Sequence, residues 1–285
     1  MPQDYFDLRK EFLTERGLDR SVDLREKFIM AINKRSFPPQ ILAMNESQFD
    51  DFRNKTFNVF ERLDSISFSL FIMKQEEKAW EEFMKKAHNP NITANPLTEK
   101  IFTTPFSTLI VGENPTSLIF AFESFLFFTD SYFEYLAQAL GYIFKNGNTK
   151  HIVKLMKVLE GLDNALAKAL FNVLENHHLL WKELQEEGYR NYFANVEPSI
   201  DTYQGKSLRD ISGHYRTLKM SALQMSISPI GEFMHERLQA GAFKKGQKDI
   251  PFGDLEKGIV KQAEKYLRDI TLLQEDVLNV LITKS

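Results

Sequence analysis

The stretch from Leu118 to Phe144 constrains this chain more than any other part of it. It is almost continuously apolar and crowded with phenylalanine, yet it carries Glu123, Asp130 and Glu134. Those acids argue against a bilayer. Asp130 would sit near the centre of a span, and each carboxylate there costs roughly 2.5–3.5 kcal/mol on insertion scales. Thr116 or Ser117 can cap a helix at its start, and Gly147 can end it near Lys145. Apolar side chains cover most of its circumference, so the spacing predicts a helix at the centre of a bundle.

The flanking segments supply partners for it. Residues around Ser21 to Lys34 read as a short helix stopped by Pro38–Pro39. From about Ser47 to Ala87, Phe49, Phe52, Val59, Leu63, Ile66, Leu70 and Met73 recur at three- and four-residue steps, one apolar stripe on a long helix. From His88 to Pro115 the pairs Asn89-Pro90, Asn95-Pro96, Thr104-Pro105 and Asn114-Pro115 break any helix, leaving a loop with an extended piece at Ser107 to Val111. His151 to Glu187 reads as one further helix closed by Gly188, and the short Asn-Gly-Asn link makes it an antiparallel neighbour of the Phe-rich helix.

Beyond a polar connection, Ser207 caps a helix to about Tyr215. Leu223 to Ile227 then alternates like a strand, Pro229-Ile230-Gly231 reads as a turn, and Phe233 to Phe243 reads as the returning strand. A last helix opens at Gly253-Asp254, with Leu255, Ile259, Ala263, Tyr266, Ile270, Leu273 and Val277 on one face. The expected fold is mainly α, an antiparallel helical bundle with a small β-hairpin insertion. Its expected organisation is an N-terminal helical extension over residues 1–90, a Pro/Asn-rich loop over 91–115 and a helical bundle domain over 116–285.

Composition narrows the function. A net charge of −3 is not that of a protein coating nucleic acid nonspecifically, so any RNA contact is local. The chain has no cysteine, which removes disulfides, thiolate nucleophiles and zinc–sulfur sites together and fits a reducing cytoplasm. Met1 to Lys10 is charged and lacks the apolar core of a signal peptide. No Gly-rich phosphate loop, Gly-x-Ser-x-Gly elbow or His-Glu-x-x-His motif is present, which argues against nucleotide hydrolases, α/β-hydrolases and common zinc proteases.

One segment carries chemistry. Ser207-Leu208-Arg209-Asp210-Ile211-Ser212-Gly213-His214-Tyr215 places a permanent cation five residues before an imidazole. Five residues of helix rotate about 500°, so the two side chains lie about 140° apart and converge only near the helix start or across a dimer interface. A guanidinium holds phosphate by two parallel hydrogen bonds, and an imidazole moves protons near neutral pH. Cleavage of an RNA phosphodiester uses both: a proton carrier and a cation for the developing charge.

With Arg209 followed by Asp210 and then His214, the segment resembles the Arg-x4–6-His motif of the HEPN superfamily at its shortest spacing. The context is similar too: the Phe-rich "FESFLFFTDSYFEYLAQAL" helix, then a long helix with Trp181 near its end, then the motif helix. The resemblance covers roughly residues 116 to 283. Gly213, just before His214, departs mildly from it in helix propensity. The resemblance implies a metal-independent endoribonuclease or RNA-binding protein in a defence or stress response, without a cofactor. It also implies a cytoplasmic homodimer whose two motif copies form one cleft, with an antitoxin or another protein as a partner. His214 would be the general base or acid, Arg209 would steady the scissile phosphate, and Asp210 would orient one of them.

Two rival readings stay open. Glu175 with His178 and Glu232 with His235 form Glu-x-x-His pairs, as in di-metal carboxylate bundles, and Glu123 or Glu134 could add a lone carboxylate. Against this, His235 falls where a strand is expected, and strand positions three apart point to opposite faces. The plain alternative for His177 and His178 is one exposed and one half-buried histidine. A non-catalytic helical protein-interaction module accounts for the same pattern, with Arg209 ion-paired to Asp210 or Glu197.

Overall fold

A computed structural model of the chain describes residues 17–87, 107–110, 116–144, 149–185, 218–221, 224–227, 233–235, 239–242, 250–252 and 259–282, with side-chain surroundings given for most of the helical part. The helices are α1 (Gly17–Lys34), α2 (Pro39–Leu42), α3 (Glu46–Ala87), α4 (Thr116–Ile143), α5 (Ile152–Glu160), α6 (Ala165–Asn176), α7 (His178–Gln185) and α8 (Ile259–Leu281). The fold is mainly α. Outside the helices and the turns that link them, the described backbone consists of extended segments of three or four residues: Ser107–Ile110, Leu218–Ser221, Gln224–Ile227, Phe233–His235, Gln239–Ala242 and Ile250–Phe252. Among the described residues no helix is long and apolar enough to cross a membrane.

Helix α3 has 42 residues, a rod of roughly 63 Å at 1.5 Å per residue. Its start is set by Asn45: the side-chain oxygen accepts from Gln48 N at 2.9 Å, and Gln48 Oε1 accepts from Asn45 N at 3.4 Å. That reciprocal pair satisfies donors that a helix start leaves orphaned. Phe52, Val59, Leu63, Ile66, Leu70 and Met73 are buried, as the stripe requires. Small polar residues interrupt the apolar surface of both long helices, and each hydroxyl bonds to the carbonyl one turn back. Thr56 donates to Phe52 O at 2.8 Å, Ser67 to Leu63 O at 2.9 Å and Thr129 to Phe125 O at 2.6 Å. Satisfied in this way, they can be buried without stranding a donor.

Side-chain pairs give the directions of packing. Lys55 lies over the ring of Tyr135, and Arg62 over those of Phe128 and Tyr135, so α3 and α4 run antiparallel. Phe125 meets Tyr266, and Tyr132 donates to Gln274, so α8 runs parallel to α4. Ser21 and Arg25 both bond Asp64 at 2.7 Å, while Phe28 meets Phe57 and Phe60, so α1 is antiparallel to α3. One cluster of buried side chains runs from Leu24 on α1 to Leu281 on α8.

Phenylalanine density has its physical reason at one end of this cluster. Phe28 is fully buried, with the rings of Phe37, Phe52, Phe57 and Phe60 at centroid distances of 5.7–6.0 Å, three of them edge-on. Edge-to-face contact matches the positive rim of one ring to the negative face of the next. Pro38 and Pro39 open the short helix α2 just beyond. Pro39 takes the first helical position, where its missing N–H is no loss. The turn before it forms a Schellman motif: Ser36 N donates to Ala31 O at 2.9 Å and Arg35 N to Ile32 O at 3.2 Å. Arg35 therefore has φ of 51°, a left-handed backbone that costs a residue with a Cβ roughly 1–2 kcal/mol.

One expected element divides. The helix expected over His151 to Glu187 is three helices, α5, α6 and α7. Gly161 closes α5, and Asn164 caps α6 by accepting from Leu166 N at 2.8 Å and Ala167 N at 3.2 Å. An asparagine that captures two amide donors makes a new helix start more favourable than continuation. His177 forms the second break, and Trp181 then donates to Leu174 O at 3.0 Å across it.

Candidate functional site

The residues assigned chemistry from the sequence are Arg209, Asp210 and His214, and all three lie outside the described residues. The structure does describe the frame from which their segment departs. Helix α7 ends at Gln185, and this residue ties the helix end into the bundle. Its Nε2 donates to Asp130 Oδ1 on α4 at 3.5 Å, and its Oε1 accepts from Ile152 N at the start of α5 at 3.3 Å. One amide thus links three helices, and it satisfies an orphaned first-turn donor of α5. Beside it on α7, Glu183 is fully buried. The hydroxyl of Tyr266 on α8 donates to Leu180 O, which fixes α7 against the last helix.

Asp130 has a role different from the one its sequence position suggests. The acid that speaks against a membrane span is half-buried and engages Gln185. Nearby on α4, the hydroxyl of Tyr132 donates to Gln274 Oε1 at 2.9 Å, with both residues almost wholly enclosed. Burial pushes the Tyr132 phenol well above its ordinary value, so it remains a neutral donor.

The Glu-x-x-His pair at Glu175 and His178 straddles the break at His177. Glu175 lies in the last turn of α6 and is exposed, whereas His178 opens α7. His178 Nδ1 is 2.7 Å from the backbone carbonyl of Glu175, not from its carboxylate. His177 Nε2 lies 2.8 Å from Asp276 Oδ2 on α8, an interhelical bond. Both histidines are half-buried, rather than one exposed and one half-buried, and of the two it is His177 that bonds to α8. Glu232 is outside the described residues, and His235 lies in the extended segment Phe233–His235. Among the described residues no group of three or more His, Asp or Glu side chains gathers as a metal site would require.

Sequence reasoning passed over a cationic seam between α3 and α4. Lys55 Nζ lies 5.2 Å from the centroid of Tyr135, and the guanidinium of Arg62 lies 5.5 Å from Tyr135 and 5.6 Å from Phe128. Neither cation has a carboxylate at ion-pair distance among the described residues, and Arg62 Nε is buried without a hydrogen-bond partner. Aromatic faces hold such cations in place without neutralising them. The signal was present as Lys55 and Arg62, seven residues apart on one helix face, facing Phe128 and Tyr135 with the same spacing on another. It has no meaning until the two helices are known to be neighbours.

Compared with known proteins, the chain matches no family model, no curated protein and no solved structure.

Proposed function

We propose that this chain is a HEPN-like helical protein that cleaves or binds RNA in a defence or stress response, with Arg209, Asp210 and His214 at its site. The observation that carries this reading is the segment Arg209-Asp210-Ile211-Ser212-Gly213-His214 and its position in the chain, after the Phe-rich helix and before the last helix of the bundle. Two features of the helices support it. Helices α4 and α8 are bonded to each other through Tyr132 and Gln274, and each is bonded to α7, the last helix before the motif in the sequence. The seam of Lys55 and Arg62 offers unneutralised charge in a chain whose net charge is −3, the local contact that a phosphate backbone needs.

In this reading the organisation is an N-terminal extension over 1–90, a loop over 91–115 and a HEPN-like domain over 116–285. The domain carries a small hairpin insertion, supported by the antiparallel register of Met225 with His235 and Ile227 with Phe233. Cleavage is metal-independent. The ribose 2′-oxygen attacks phosphorus as its proton leaves, the bond to the 5′-oxygen breaks, and a proton reaches that oxygen. His214 serves as the proton carrier, Arg209 offsets the charge on the phosphoryl oxygens, and Asp210 orients one of them. Two copies of the chain in a cytoplasmic homodimer bring two motifs to one cleft.

RNA cleavage by purified protein in EDTA, wild type against His214→Ala, tests the proposal. Cleavage that survives chelation and disappears in the variant is expected. Activity that appears only on adding iron or manganese refutes it and points to Glu175, His178, Glu232 and His235. No cleavage above background by either protein, across structured and single-stranded RNAs, favours the second reading, a non-catalytic interaction module. That reading rests on Phe120 and Phe127, which are 62% and 64% exposed and lie seven residues apart on one face of α4. Exposed phenylalanines paired in this way suit a protein partner, such as an antitoxin.

A further inference from the structure

A groove of about 470 Å³ lies where α1 turns into α2 and α3, at the N-terminal end of the chain and independent of the RNA motif. Apolar side chains form much of its wall, with Phe37 and Ile41 buried, Met44 and Phe49 half-buried and Leu42 half exposed, while polar atoms make up nearly half of the surface it presents. The volume falls in the ordinary range of small-molecule sites. Among the described residues, two charged ones line it, Arg35 and Glu46.

Arg35 is the anomaly. It occupies the position of the Schellman motif that favours glycine, at φ of 51°. The helix end does not need its charge, because Lys34 already stands in the last turn of α1. Its guanidinium also has no carboxylate at ion-pair distance among the described residues. A strained backbone thus holds an exposed planar cation, without a carboxylate partner among the described residues, on the lining of a groove of mixed polarity. Glu46, by contrast, lies in the first turn of α3, where the helix dipole already favours an acid.

We propose that this groove binds a small molecule with an apolar body and a single carboxylate head, the head held by the two-pronged hydrogen bonding of Arg35. A guanidinium fork matches carboxylate geometry. The nearby Glu46 disfavours a dianion such as a phosphate monoester, and the apolar side chains of Ile41, Leu42, Met44 and Phe49 take the chain or ring behind the head.

The backbone strain makes Arg35→Gly a discriminating variant, because glycine relieves the strain while removing the cation. Decanoate is the probe, titrated calorimetrically into the full-length chain, with decanol and decylamine as controls. The expected result is one decanoate bound per chain and a loss of affinity on the order of tenfold or more in Arg35→Gly. That variant should unfold at the same temperature as wild type or higher. Absence of decanoate binding to wild type overturns the proposal. So does full binding by Arg35→Gly, or decanol binding as well as decanoate. Decylamine bound more tightly, with the effect lost in Glu46→Gln, would assign the opposite ligand charge and overturn it too.

Discussion

Tyr132→Phe is the most informative single change to the bundle core. It removes one oxygen and leaves the ring in place, between α4 and α8. The Tyr132 hydroxyl donates to Gln274 Oε1 at 2.9 Å, and the two residues are 0% and 1% exposed. Water cannot reach the amide oxygen left behind, so the loss combines a net hydrogen bond with a stranded acceptor, about 1–3 kcal/mol. Gln274→Met strands the hydroxyl instead and costs a similar amount, about 1–3 kcal/mol. The double variant Tyr132→Phe/Gln274→Met removes both polar groups at nearly constant volume. It should recover most of one single loss, a coupling energy of about 1–3 kcal/mol. Urea unfolding followed by circular dichroism at the helix band measures all four proteins. For a chain of this size each single change should lower the melting temperature by about 3–4 °C if the cost is about 2 kcal/mol. A double variant as unstable as the sum of the two singles would refute the reasoning, because it would mean that the pair is not coupled and that α4 and α8 are not held in this register.

The same hydroxyl sets an alkaline limit. Burial raises the Tyr132 phenol above its ordinary value of about 10, so the unfolded chain loses that proton first and stability should fall as pH rises above about 10. Urea midpoints between pH 9 and 11 should show a weaker decline in Tyr132→Phe; equal slopes would count against it. Phe28→Ala should destabilise by about 3–5 kcal/mol, since the ring is fully enclosed by four others, and a loss near zero in chemical denaturation would mean that the cluster is not packed as described.

Periodicity alone determined that the chain is mainly helical, and it placed the cores of its long helices. The three- and four-residue steps of α3 and the aromatic density of α4 can bury only one way in water, so Phe52, Leu63, Phe125 and Phe133 are interior as the pattern demands. Local capping chemistry was also written in the sequence, although the apolar rhythm across His151 to Glu187 masked it: Gly161 and Asn164 end one helix and begin another. Which helix faces which was not legible. Tyr132 meets Gln274 across 142 residues, and Gln185 meets Asp130 across 55, because packing brings them together and no spacing rule encodes it. The same holds for the cations on Tyr135 and for the groove beside Arg35, whose left-handed backbone comes from the hydrogen bonds of a turn and not from arginine's own preference. For the RNA site the balance is reversed. Arg209, Asp210 and His214 were visible as a motif, but their convergence depends on where a helix start or a second chain puts them, and a spacing of five residues on a helix cannot supply that by itself.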